Sequence, residues 1–246
     1  MSKPQITLYN TRASPYGHYV EIALREAKAE YTLYEVDLRN KPSWFVDKVN
    51  PAGKVPAITY GGPVVPPDEP SPASFKLAES LVILEFAIDL FPEASLLLPR
   101  DPVERASARF LVNLFAEKLR TAYFNVLVNR ASTQEVITAI DELQKYMPAP
   151  GASKGPYVNG STFTSIDAVA AGFLLRLDGC LKRDIGSFPE GEGVKAYNIL
   201  HTSERYERYR AYLSALLQRE SVSGTFPQEQ IVAVQRAVYL PFRAPV

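Results

Sequence analysis

The sequence predicts an α/β domain followed by an all-α domain, on three observations. Short β-favouring runs alternate with helical segments only before about residue 92, and long helical patterns take over after Pro99-Arg100-Asp101-Pro102. A chain of 246 residues with 46% hydrophobic content buries a substantial core, and its length suits either one large domain or two small ones. Beta-first and then all-helical order implies two unlike domains rather than one continuous sheet. We place them at residues 1–92 and 101–246.

The elements follow in order. Ile6 to Tyr9 is a β-favouring run, Asn10 to Pro15 is turn-rich, and Val20, Ile22, Ala23 and Leu24 carry helical spacing. Tyr31 to Leu38 gives a second strand, and the helical crossover makes its pairing with the first parallel. Lys41 to Val49 is weakly helical, and Asn50-Pro51-Ala52-Gly53-Lys54 is a turn. Val55 to Tyr60 is a strand with proline at its entrance, where a missing ladder donor is tolerated. Five prolines between Gly61 and Pro72 make an exposed, semi-rigid loop. A short strand over about Ser74 to Leu77 follows, and Ala78-Glu79-Ser80 opens an apolar helix that runs through Leu90 and is ended by Pro92. In the second half, helices are expected over about 103–129, 134–146, 166–181 and 203–219.

Charge and cysteine content narrow the function. Lys plus Arg and Asp plus Glu number 27 each, so no global positive field exists to hold nucleic acid or an anionic membrane. A small, locally recognised ligand fits better. Cys180 is the only cysteine, which excludes an internal disulfide and a thiolate-built zinc site and agrees with a reducing compartment. Lys3-Pro4 leads directly into the first strand, without the apolar stretch of a secretory signal or membrane span, as expected of a cytoplasmic protein.

Taken together, the βαβ unit, Val55-Pro56 at a strand entrance, Glu79-Ser80 at a helix start and the all-helical second half resemble cytosolic glutathione transferases. Ser14-Pro15-Tyr16-Gly17, Asn40-Lys41-Pro42 and Asn50 to Pro56 are most similar to the omega class, especially its fungal members. That class usually has cysteine where this chain has Ser14. The resemblance implies a thioredoxin-like N-terminal domain that binds glutathione as co-substrate without a metal. It implies that Val55 and cis Pro56 meet the cysteinyl portion, that Glu79 and Ser80 take the amino and carboxylate groups of the γ-glutamyl end, and that Lys41 holds the glycyl carboxylate. On residue type alone, Pro56 also fits an ordinary strand edge, Glu79-Ser80 a plain helix cap and Lys41 a surface lysine.

Ser14 decides the chemistry. A free thiol has a pKa near ~8.5, so glutathione needs help to ionise at neutral pH. Ser14 has a hydroxyl hydrogen to donate to the sulfur, and a helix opened by Pro15 adds positive potential. A serine also serves as a simple N-cap there. Cysteine at this position would form a mixed disulfide, which serine does not. The expectation is therefore conjugation or peroxidase-type activity on small hydrophobic, aromatic electrophiles, with weak thioltransferase activity. The alternative is a non-catalytic ligandin for aromatic or phenolic metabolites. The resemblance places the acceptor pocket between domains, with Tyr16, Tyr123, Phe124, Phe173 and Arg176 as candidates, and implies a homodimer. His18 is expected to be a surface or interface histidine. Phe163 to Asp167 resembles the family's buried capping box, a folding element, and Cys180 is expected to be a small buried hydrophobe.

Overall fold

The structure, a computed structural model, describes residues 3–93 and 96–243. Contacts divide the chain into two compact units, residues 1–95 and 96–246. The expected boundary segment, 92 to 101, spans this division, and residues 94 and 95 within it lie outside the described residues.

The first unit runs β1 (Ile6–Asn10), α1 (Pro15–Glu26), β2 (Thr32–Glu35), α2 (Ser43–Lys48), β3 (Ala57–Tyr60), β4 (Phe75–Ala78) and α3 (Ser80–Leu90). Its sheet has the order β2-β1-β3-β4. The β1 and β2 strands pair in parallel, as the crossover through α1 requires, and the other two pairings are antiparallel. Every residue of β1 is buried, because both faces of the central strand are covered. On one face Tyr9 packs with Phe45 of α2, Val36, Val49 and Ala57. By the two-residue alternation, Leu8 points to the opposite face.

Two strands are shorter than their β-favouring runs, for identifiable reasons. The second pairs only as far as Asn10 opposite Glu35, where β1 ends and the chain turns toward α1. The third begins at Ala57 rather than Val55, because Pro56 has no N–H for the ladder. The proline-rich loop is largely exposed, as expected, yet it is fastened to the sheet at two points. The Gln5 side chain donates to Val65 O at 2.8 Å and accepts from Val65 N at 3.0 Å. The Tyr9 hydroxyl donates to Pro67 O at 2.8 Å.

The second unit is helical: α4 (Pro102–Leu127), α5 (Gln134–Leu143), α6 (Ser165–Lys182), α7 (Glu192–Thr202), α8 (Glu207–Gln218), α9 (Glu220–Ser223) and α10 (Gln228–Tyr239). Helix α6 is central, packing against α4, α7, α8 and α10 and buried on nearly every side. Such a helix must be apolar all round, which Ala168 to Leu175 satisfies. It begins with the expected capping box. The Asp167 carboxylate accepts from Thr164 N at 2.8 Å and Thr164 Oγ1 at 3.0 Å. Asp167 also accepts from Val158 N at 3.1 Å and from the Tyr212 hydroxyl of α8 at 2.7 Å, so it joins a loop and two helices. Helices α7, α9 and α10 were not expected from the sequence. Among the described residues, no helix is long and apolar enough to cross a membrane.

Candidate active site

Strand register brings three separated segments to one edge of the sheet. Tyr9 lies opposite Ala57, and Ala57 lies opposite Ala78. The chain leaving β1 toward Ser14, the chain entering β3 through Val55-Pro56 and the chain leaving β4 at Glu79-Ser80 therefore emerge together. The Val55-Pro56 peptide is cis. Val55 is partly buried and packs beside the Tyr9 cluster, so the entrance to β3 is fixed from below.

Ser14 is the N-cap of α1. Its Oγ accepts from Gly17 N at 3.2 Å, Pro15 follows at the first helical position, and no acidic residue lies in the first turn. The cap uses the oxygen and leaves the hydroxyl hydrogen for another acceptor. The α1 N-terminus contributes positive potential at the same point. Gly17 is required by a close approach: a Cβ there would lie 1.7 Å from Asn10 Oδ1. The missing side chain lets the first turn of α1 pack directly on the last residue of β1.

Glu79 and Ser80 open α3 without a side-chain cap, and no acidic residue occupies the first turn. The leading N–H groups of α3 thus have no side-chain acceptor of their own, which favours an anion at this end. Glu79 is exposed and has φ 68° and ψ 105°. A positive φ costs a non-glycine residue roughly 1–3 kcal/mol, and such conformations concentrate at ligand sites. Ser80 accepts a hydrogen bond from the Tyr19 hydroxyl of α1.

Lys41 is exposed, and its Nζ donates to Gly53 O at 3.2 Å. Gly53 has φ 60°, and a Cβ on it would come 3.3 Å from Lys41 Nζ. The ammonium is thereby tied to the turn that leads into Val55-Pro56. A second brace comes from Asn50, whose amide donates to Lys54 O at 2.8 Å.

The acceptor candidates divide differently. Tyr16, on α1, is partly exposed, with its ring edge-on to Tyr19 at 6.4 Å. Phe124 is also partly exposed. Tyr123 and Phe173 are fully buried inside the helical unit, their rings 5.7 Å apart. The Tyr123 hydroxyl lies 3.0 Å from that of Tyr239 and accepts from Gln235 Nε2 at 3.2 Å. Arg176 is 2% exposed, donates to Gly172 O and stacks over Phe226. Tyr123, Phe173 and Arg176, expected as acceptor candidates, thus lie in the interior of the helical unit. Gln235 and Tyr239 of α10, a helix not expected from the sequence, lie against Tyr123. His18, expected at a surface or interface, is 1% exposed. Cys180 is a buried hydrophobe, as expected, and burial drives its thiol pKa far upward.

Sequence reasoning missed Tyr19 and Asn10. Neither carries a local signal, because their partners, Ser80 and Gly17, meet them only through packing.

The sheet and its helices make a thioredoxin-like domain followed by a helical one, and comparison with known proteins gives the family. Residues 8–95 match the glutathione S-transferase N-terminal domain family. The crystal structure of glutathione transferase Omega 1C from Trametes versicolor is 42% identical, with TM-score 0.90, covering 98% of this chain and 99% of that one. Omega 2S from the same organism, solved in complex with 2,4-dihydroxybenzophenone, is 38% identical with TM-score 0.87, covering 96% of this chain and all of that one (100%). A probable glutathione S-transferase of Nicotiana tabacum is 29% identical over 228 residues, covering 91% of this chain and 89% of the relative. The chain belongs to the glutathione transferase family and is an enzyme of that family, with fungal omega-class members among its structural neighbours.

Proposed function

We propose that this glutathione transferase uses Ser14 to hold the glutathione thiolate, and conjugates it to, or reduces with it, small hydrophobic aromatic electrophiles. The observation that carries the proposal is the geometry of Ser14: its oxygen accepts from Gly17 N, which leaves its hydrogen to donate at the N-terminus of α1. Ser14 donates to the sulfur and the helix end adds positive potential, so the thiol proton leaves to solvent at lower pH. One charge-assisted bond contributes about 1.5–3 kcal/mol, or roughly one to two pKa units.

The remaining ligand contacts follow the sheet edge. Val55 offers its backbone beside cis Pro56 to the cysteinyl portion, Glu79 pairs with the γ-glutamyl amino group, and Ser80 with the uncapped start of α3 takes the carboxylate. Lys41 holds the glycyl carboxylate. Tyr16 and Phe124 are the acceptor candidates that are partly exposed, and Tyr123, Phe173 and Arg176 support them from the interior. The solved complex of an omega relative with 2,4-dihydroxybenzophenone supports an aromatic acceptor. A homodimer is part of the reading, supported by exposed apolar side chains on each unit: Phe75 at 52% and Val82 at 50%, and Val103 at 74% and Phe110 at 64%. So is a cytoplasmic location.

The test is the pH titration of the bound glutathione thiolate by ultraviolet absorbance, in parent and Ser14→Ala proteins, alongside turnover of an aromatic electrophile. The expected result is a bound thiol pKa higher by about one to two units in the variant, with a matching loss of rate at neutral pH. An unchanged pKa and rate would remove Ser14 from the chemistry.

A further inference from the structure

The contact between Tyr19 and Ser80 joins α1, which carries Ser14 at its cap, to the first residue of α3, across 61 positions of sequence. Tyr19 is 1% exposed, so its phenol has no water to bond, and the Ser80 oxygen takes its proton instead. Burial, with smaller pushes from Tyr16 and Glu79 and against the lowering effect of the Ser80 hydrogen bond, raises the Tyr19 pKa far above its ordinary value, so the phenol remains a donor throughout the working range. A serine hydroxyl has one hydrogen and two lone pairs. Once Tyr19 occupies a lone pair, the Ser80 hydrogen points away from Tyr19. Ser80 itself is partly exposed, at the uncapped end of α3.

We propose that Tyr19 is a positioning residue for glutathione: by donating to Ser80 Oγ it orients the Ser80 hydroxyl hydrogen toward the γ-glutamyl carboxylate. The inference rests on the assignment of Ser80 to that carboxylate. Two hydrogen bonds in sequence also polarise one another, so the Ser80 hydrogen is a better donor than an isolated serine would supply. No electron or group transfer is involved, and Tyr19 acts on binding rather than on the thiol.

The experiment compares two ligands by calorimetry: glutathione, and 4-aminobutyryl-cysteinyl-glycine, which keeps the amine and lacks the carboxylate. Tyr19→Phe retains the ring against Tyr16 and removes only the hydroxyl. It is expected to weaken glutathione about five- to tenfold and to leave the decarboxylated ligand within about twofold. The KM for glutathione rises accordingly, while kcat at saturating glutathione and the bound thiol pKa are retained. In a Ser80→Ala background, Tyr19→Phe adds nothing. Equal weakening of both ligands would reduce Tyr19 to packing and overturn the proposal, as would no weakening of either. If Ser80→Ala leaves the preference for glutathione over the decarboxylated ligand intact, the Ser80 assignment itself fails, and the proposal with it. If Ser80→Ala abolishes that preference and Tyr19→Phe does not lower it, only the Tyr19 proposal fails.

Discussion

Removing the Tyr212 hydroxyl with Tyr212→Phe tests how the helical unit is held together. That hydroxyl donates to Asp167 Oδ1 at 2.7 Å, and both residues are fully buried. A hydrogen bond to a charged group contributes about 1.5–3 kcal/mol net, so the variant should lose that much at neutral pH. With a urea slope of about 3 kcal/mol/M, the midpoint falls by about 0.5–1 M. Asp167→Ala is more severe, because Thr164 N, Thr164 Oγ1, Val158 N and Tyr212 all lose their acceptor in the interior. We expect a loss above about 4 kcal/mol, a large fraction of a typical total of about 5–15 kcal/mol. The pH dependence follows from Asp167. Burial raises its pKa above the ordinary 3.8, against hydrogen bonds that lower it, Tyr212 first among them. A raised carboxyl pKa makes the folded state the tighter proton binder. That stabilising contribution is fully present below the unfolded pKa and lost as pH rises through the folded one. The Tyr212 bond opposes this by favouring the ionised form, so the cost of Tyr212→Phe should be greatest at neutral pH and shrink as acid protonates Asp167. Urea unfolding followed by circular dichroism at several pH values measures both effects. A Tyr212→Phe midpoint indistinguishable from the parent at neutral pH would refute the reasoning.

Three further outcomes are expected. Ser14→Cys should introduce thioltransferase activity, seen as glutathione-dependent reduction of a mixed disulfide together with a covalent glutathione adduct by mass spectrometry; absence of both would show that position 14 does not meet the sulfur. Cys180 is fully buried with its thiol pKa pushed far upward by burial, so an aromatic disulfide reagent should label it only on unfolding, and stoichiometric labelling of the native protein would contradict its placement. Gly17→Ala should cost about 1–3 kcal/mol through collision with the Asn10 amide, and Asn10→Ala in the same chain should recover much of the loss in thermal denaturation.

Much of this architecture was legible because it is local. Pro15 after Ser14, the five prolines of the β3–β4 loop and Thr164 with Asp167 three residues on each carry their meaning within a few positions. Helix α10 was missed although a signal existed: Ile231, Val232, Gln235 and Tyr239 fall on one helical face after Pro227. Its polar members diluted the apolar stripe, and the buried Gln235 reads from sequence as a surface residue. The interior placement of Tyr123 depends on that helix, 116 positions away, and so was out of reach. Motif resemblance named Ser14, Val55, Pro56, Glu79 and Ser80. Their arrival at one sheet edge is a matter of strand register, and the Tyr19 link to Ser80 is a matter of helix packing.

The backbone at Glu79 has a consequence for anyone who tries to improve this enzyme. Its φ of 68° suits glycine, so Glu79→Gly should raise the melting temperature while removing the carboxylate assigned to the γ-glutamyl amine. A screen that rewards heat resistance alone would therefore collect this change early, and under the proposed assignment of Glu79 it would report success on a protein with weakened glutathione binding. Position 79 should be held constant in a stabilised library, or every survivor assayed for glutathione affinity.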